Sequence, residues 1–252
     1  MSRIFFLLYL LTISYNCFSQ NRKNTYTALL IQANYGVHLP AGDLANRFGN
    51  NFSIGGGIDL LTEKSNWILG IKGNNLFGNN VKEDVLASLR DRDGFIIGNS
   101  GTSMGSYSLV VLRQRGIYVG GHVGKLIALS NKNTRSGIRV TLGIGLLQHK
   151  VRIQDESGSA NQIAGDFAKG YDQLSNGLAI EQFIGYQHIG LNRGASFYAG
   201  FEFTQAFTQN RRNFNFATRT IDTTKRFDAL LGFRLGWLIP IYIGEKGEDL
   251  IY

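Results

Sequence analysis

Eight stretches of this chain alternate apolar residues with small or polar ones at a period of two, and no other feature narrows its fold as much. They cover about Tyr26–Leu39, Phe52–Leu61, Trp67–Gly78, Leu109–Ile127, Gly137–Ile153, Leu178–Ile189, Ala195–Thr208 and Phe227–Ile243. Successive side chains of a strand point to opposite faces, so this period is the mark of strands whose two faces differ. In FDALLGFRLGWLIP, which starts at Phe227, one face carries Ala229, Leu231, Phe233, Leu235, Trp237 and Ile239. The other carries Asp228, Leu230, Gly232, Arg234, Gly236 and Leu238. A strand face in water favours Thr, Lys or Glu, because glycine weakens a strand and packs nothing. Glycines beside opposite charges therefore require some other surroundings.

The connections alternate in length. TEKSN, ALSNKNTRS and GLNRG are short, whereas PAGDLANRFGNN, residues 79–108, residues 154–177 and residues 209–226 are long. An even strand count with short turns at one end and long loops at the other is the layout of a transmembrane β-barrel. The fold expected is all-β: a closed, up-and-down, antiparallel transmembrane barrel of eight strands, with short periplasmic turns and long extracellular loops. Both termini then lie in the periplasm.

Alternation alone leaves the inside undecided, since a soluble barrel shows the same pattern with its apolar face inward. Three features favour an apolar exterior. Glycines such as Gly55, Gly57, Gly70, Gly120, Gly143, Gly200, Gly232 and Gly236 fall on the polar face, and the interior of an eight-stranded barrel barely holds its side chains. The same face carries four acids and three bases, Asp59, Lys72, Arg139, Glu181, Glu202, Asp228 and Arg234. That near balance suits a confined lumen, where an unpaired charge costs several kcal/mol. The Phe, Trp, Leu and Ile of the apolar face would overfill so small an interior, but lipid sets no volume limit.

The start of the chain agrees with export. Arg3 precedes an apolar run from Ile4 to Ile13, and Cys17 and Ser19 offer small residues before a cleavage point. That run is too short to span a bilayer as a helix, which needs roughly 20 residues, and reads as a signal peptide over residues 1–19. Residues 20–252 then form one barrel domain. Tyr15 and Asn16 before Cys17 argue against a lipoprotein anchor, and without Cys17 the mature chain has no cysteine for a disulfide. The net charge of +8 is scattered over turns and loops, which with export argues against nucleic-acid binding.

With these patterns in place, the chain resembles the small outer-membrane barrels of Gram-negative bacteria, of the size of OmpX and the OmpA transmembrane domain. YGVHLPAGDLANRFGNNFSIGGG and FYAGFEFTQAFTQNRRNFNF look like an uncharacterised barrel family of the Bacteroidota. The last strand is similar to the sorting signal read by the barrel-assembly machinery, with Arg234, Gly236, Ile239 and Ile241 in its places. It departs from that pattern in continuing through GEKGEDLIY.

Enzymatic outer-membrane barrels resemble one another in setting a His with Ser, Asp or Glu near the outer rim. Of four histidines, His38 and His149 are expected toward that rim, His122 inside and His188 near the periplasmic edge. Only His38 has an acid close in sequence, Asp43, and spacing places neither Ser53 nor Ser106 beside it. A general base must lie within hydrogen-bond reach of its nucleophile, and no HExxH, EF-hand, phosphate-loop or Cys/His motif appears. No catalytic residue, cofactor or metal is assigned.

Two loops stand out. VKEDVLASLRDRDG has apolar residues at 81, 85, 86 and 89, a helical spacing that Gly94 would end. The fourth long loop holds Arg211, Arg212, Arg219, Lys225 and Arg226 against Asp222, and Phe214 and Phe216 beside them. That set fits outer-membrane lipid and lipopolysaccharide phosphates. Residues 93–108 offer a further hairpin beyond the membrane. The reading is a non-enzymatic outer-membrane structural or interaction protein, with lipid, the assembly machinery and an unidentified envelope protein as partners. The alternatives are a lipid A-modifying or proteolytic enzyme and a soluble periplasmic ligand-binding barrel. A His, Ser and carboxylate meeting in one cleft would favour the enzyme, and an apolar cavity inside would favour the soluble barrel.

Overall fold

The computed structural model describes residues 27–98, 106–130, 133–190 and 195–243. The expected signal peptide and Cys17 lie outside them. Among the described residues ten strands form: β1 Thr27–Gly42, β2 Asn51–Leu61, β3 Trp67–Gly78, β4 Ile96–Gly98, β5 Ser106–Ser108, β6 Val110–Ala128, β7 Gly137–Asp155, β8 Ser175–His188, β9 Phe197–Asn210 and β10 Lys225–Ile243. Eight of them close a barrel in the order β1-β10-β9-β8-β7-β6-β3-β2, each antiparallel to the strands on either side of it. β4 and β5 form a separate hairpin in the second long loop.

The register fixes the shape. From His38 the pairing passes through Gly232, Glu202, Phe183, Thr141, Gly124, Ile68 and Leu61 and returns to β1 at Ala28. One circuit thus shifts the register by ten residues. With about 3.3 Å per residue and about 4.8 Å between strands, that stagger tilts the strands by about 40° and gives a radius of about 8 Å.

Every residue on that circuit faces the lumen. The opposite parity is exposed and apolar on each strand, as with Ile31, Val37, Ile54, Leu69, Val119, Leu142, Ile144, Ile184, Phe201 and Phe233. A soluble protein has these two sets the other way round; here the apolar set forms a belt about 25 Å tall, the span of a transmembrane barrel. Rings gather near its edges. Tyr35, Phe52 and Phe77 form a ladder with centroids 6.1 and 6.0 Å apart toward the loop end. Toward the turn end, Lys125 lies 5.7 Å over the Trp67 ring. Such amphipathic groups sit at membrane–water interfaces.

Two apolar layers close the lumen. At the turn end Leu30, Leu61, Ile68, Leu126, Phe183 and Leu238 pack together. At the loop end the first long loop folds a short helix, α1 (Leu44–Arg47), over the mouth. Leu44 and Phe48 from this loop join Leu76, Val85, Leu86, Tyr118, Leu147 and Val151 in a buried cluster.

The helix expected over 81–94 does not form. A single 3-10 turn, Ala87–Leu89, takes its place. Local side chains capture the backbone instead: Asp84 accepts the Leu86 N–H at 3.1 Å, and Asp91 accepts those of Asp93 and Phe95 at 3.0 and 2.8 Å. Such bonds compete with helical ones. The apolar residues still turn toward the mouth, where Val85 and Leu86 are fully buried. Both prolines lie inside strands, at Pro40 and Pro240, where only one neighbour pairs, the position that tolerates a missing N–H.

An arginine at Ile144, in mid-belt, is expected to cost about 2–4 kcal/mol in phosphatidylcholine vesicles, whereas Gln148→Arg, above the belt, should cost under about 1 kcal/mol. Urea unfolding of the vesicle-inserted protein measures both.

Candidate functional site

The chemistry of the molecule is concentrated in its lumen and on its loops. Inside, three groups of polar residues follow one another along the axis. Asp59 is the hub of the group nearest the turns. Its carboxylate accepts from Gln32 Nε2 at 2.9 Å and Arg139 Nη2 at 2.6 Å, and His122 Nε2 stands 2.9 Å away. Tyr198 donates to Gln32 Oε1 at 2.6 Å while its ring lies 4.7 Å under the Arg139 guanidinium. Arg139 also donates to Gln187 Oε1 at 3.1 Å.

The middle group pairs two bases with two acids. Lys72 donates to Glu181, and Arg234 reaches Glu202 at 2.5 Å and Glu181 at 3.7 Å. Nearest the loops, Asp228 accepts from Thr208 and lies 2.7 Å from His149 Nε2. Phe48 of the cap sets its edge against the His149 ring, with centroids 5.8 Å apart. All seven charged residues named from the sequence are thus buried on the inward face, and ion pairs or hydrogen bonds join each of them to others.

Glycines make the room. A Cβ at Gly70 would overlap Asp59 Oδ1, one at Gly232 the His38 ring, and one at Gly236 the Tyr198 ring.

His38 is not paired with Asp43. The Asp43 carboxylate instead accepts the Phe227 N–H at 2.8 Å and anchors the loop to β10. Cross-barrel geometry brings other partners: Ser53 Oγ is 2.9 Å from His38 Nε2, and Glu202 Oε1 is 3.7 Å from Nδ1. This lines up a hydroxyl, an imidazole and a carboxylate, yet not in a cleft. Ser53 is 1% exposed and His38 2%, and the cavity beside them is about 10 Å³, room for about one water. His38 Nδ1 has no hydrogen bond, so nothing fixes the ring as a triad carboxylate does. His122 and His149 meet carboxylates inside the network, and His188 lies against Phe197 on the outer parity, with ring centroids 5.6 Å apart and the planes tilted by 40°.

Arg47 was missed by sequence reasoning. It is 5% exposed and donates to Gln173 O at 3.1 Å and Ser175 Oγ at 3.4 Å, clamping the first loop to the third. Its one sequence signal was a lone arginine flanked by Leu44 and Phe48.

The basic loop is less free than its composition implied. Arg212 pairs with Asp172 at 2.5 Å, Arg226 with Asp222 at 2.5 Å, and Arg211 donates to Asn176 at 2.6 Å. Burial pushes the Asp222 carboxyl up, but bonds from Arg226, the Thr224 N–H and Asn210 outweigh it and hold the group at about 2. Arg219, with φ at 57°, and Lys225 make no ion pair among the described residues. Arg234 and Gly236 face the lumen, while Ile239 and Ile241 face outward. No cluster of His, Cys, Asp and Glu able to hold a metal occurs among the described residues.

No protein-family model matches the chain, and no curated protein matches it. Solved structures similar to it include neisserial surface protein A, at 12% identity and a TM-score of 0.39 over 83% of this chain and 97% of that one. The N-terminal β-barrel domain of Pseudomonas aeruginosa OprF aligns at 10% identity and 0.37, over 86% and 100%. Ail of Yersinia pestis, in complex with the heparin analogue sucrose octasulfate, aligns at 12% and 0.37, over 85% and 99%.

Removing one partner of a buried ion pair leaves the other charge unpaired. Asp59→Leu and Arg139→Leu are each expected to cost about 3–5 kcal/mol, and the double variant clearly less than their sum. A double-mutant cycle by urea unfolding in vesicles measures the difference.

Proposed function

We propose that this chain is an integral outer-membrane protein that acts through its exterior and its loops, without catalysis or transport. The observation carrying this is the combination of an apolar belt outside with a lumen filled by ion pairs and closed by apolar side chains at both ends. The short turns support an orientation with that end and both termini in the periplasm and the loops outside the cell. The two segments quoted above support kinship with small barrels of the Bacteroidota. The partners that fit are outer-membrane lipid and lipopolysaccharide, met by Arg211, Arg212, Arg219, Lys225 and Arg226. An envelope protein docking on the loops is a further partner, and the barrel-assembly machinery reads Arg234, Gly236, Ile239 and Ile241 during insertion.

The line of Ser53, His38 and Glu202 gives the hydrolase reading its one support. Its burial opposes that reading, because no substrate carbonyl reaches a serine enclosed on all sides.

Electrophoresis of the envelope fraction with and without boiling tests the membrane reading. A mobility shift is expected; recovery in the soluble periplasm with no shift would overturn it. In planar bilayers the purified barrel should give no stable open conductance, and a fluorophosphonate probe should leave Ser53 unlabelled. Sustained single-channel steps would refute the sealed lumen, and labelling abolished by Ser53→Ala would make the protein a hydrolase.

A further inference from the structure

Above the belt, the β6–β7 hairpin carries two like-charged rows. Arg115 stands directly opposite Lys150, and Arg113 opposite Arg152. All four share the outward parity, because Gln114, His149 and Val151 between them are buried inward. Opposite side chains on one face of an antiparallel pair have Cβ atoms about 5 Å apart, and successive rows lie about 7 Å apart. Four cations therefore occupy one small patch. Like charges directly opposite are unfavourable, and here two consecutive rows carry them.

The carboxylates nearby only partly answer them. Glu156 lies 3.7 Å from Arg113. Asp172 lies 3.7 Å from Lys150 but is already held at 2.5 Å by Arg212, itself a fifth cation beside the patch. Asp155, the remaining acid of the hairpin, is taken by Ser157 and the Ala160 N–H in its own turn. Arg115 donates to the Gln114 carbonyl at 2.7 Å, and neither it nor Arg152 has an ion pair among the described residues.

Height decides what would neutralise the patch. The outward residues change from Val119 and Leu146, through Ile117 and Gln148, to Arg115 and Lys150. At the tilt derived above, Arg115 rises about 5 Å beyond Ile117, the level of lipid headgroups bordering the hydrocarbon. Guanidinium forks match phosphate oxygens two by two, and an ammonium adds a point charge.

We infer that Arg113, Arg115, Lys150 and Arg152 form a binding site for the phosphates of a membrane lipid in the loop-side leaflet. The inference rests on the membrane reading above and deepens it by naming a site. It adds a site on the wall of the barrel to the fourth loop, whose cations are largely paired internally.

The test uses the full protein folded into zwitterionic nanodiscs, with di-phosphorylated lipid A, its dephosphorylated form and inorganic pyrophosphate as probes. Native mass spectrometry reads the lipid retained. The variant Arg113→Gln/Arg115→Gln/Lys150→Gln/Arg152→Gln should bind lipid A about tenfold more weakly or worse, while Lys125→Gln, at the opposite, turn end of the barrel, should change binding less than about twofold. Dephosphorylated lipid should not discriminate wild type from variant. At low salt without lipid A the fourfold variant should melt higher than wild type, and lipid A should raise the melting temperature of the wild type alone. Unchanged lipid A binding by the fourfold variant, in a barrel that is inserted and heat-modifiable, overturns the site and leaves the membrane reading standing. Displacement of lipid A by equimolar pyrophosphate overturns the lipid assignment in favour of a free anion. Failure to insert at all overturns the membrane reading instead.

Discussion

Closing eight strands with a ten-residue stagger leaves a lumen so narrow that its contents are dictated side chain by side chain. A tyrosine or a histidine fits where a nearby strand position is a glycine. Gly236 yields to Tyr198, Gly232 to His38, and Gly70 to Asp59 with His122. Glycines and charges are linked: Gly70 leaves room for Asp59 and His122, and Gly57 for the Lys72 side chain. In an open sheet the same glycines would only weaken the strands.

Confinement also explains the closure at both ends. Charges in so small a space are stable only if each finds its counterion or hydrogen-bond partner, and water free to enter and leave would compete for the same groups. The layer around Leu30, Leu61, Ile68 and Leu238 excludes it at the turns, and α1 with Leu44 and Phe48 excludes it at the loops. Arg47 and Asp43 fix that lid from opposite ends, one to the third loop and one to the start of β10. The loop cap is therefore part of the lumen's electrostatics.

What could be read from the sequence follows from this. Alternation with a period of two located the eight barrel strands to within a few residues, because lipid and lumen demand opposite chemistry at every step. Parity placed Asp59, Lys72, Arg139, Glu181, Glu202, Asp228 and Arg234 on one face. It did not say which acid meets which base, since Lys72 with Glu181 depends on the stagger summed over several strands. The same cause hid Ser53 beside His38, a contact made between adjacent strands whose register the connecting loop does not reveal. Loops escaped for another reason. Residues 81–94 have helical spacing, but Asp84 and Asp91 bind their own backbone, and apolar residues that would form one helix face are buried under the cap without it.

A filled polar lumen has a consequence that an apolar one would lack. Lipid gives little drive to pull apolar side chains inward, since the bilayer solvates them as well as a core does. A barrel with leucines on both faces would have no penalty for pairing its strands one residue out of step. Here such a slip would turn buried charges such as Arg139, Glu181 and Arg234 toward hydrocarbon, at about 2–4 kcal/mol for each arginine or lysine near the midplane. It would also press the outward phenylalanines of β9, Phe201, Phe203 and Phe207, into a space sized for glycine, glutamate and threonine. The ion pairs need add no net stability to earn this role, because buried pairs often do little better than well-packed apolar groups. What they supply is a single register, in which Asp59 finds Arg139 and Glu202 finds Arg234. That register in turn sets Arg115 opposite Lys150 at the height of the headgroups.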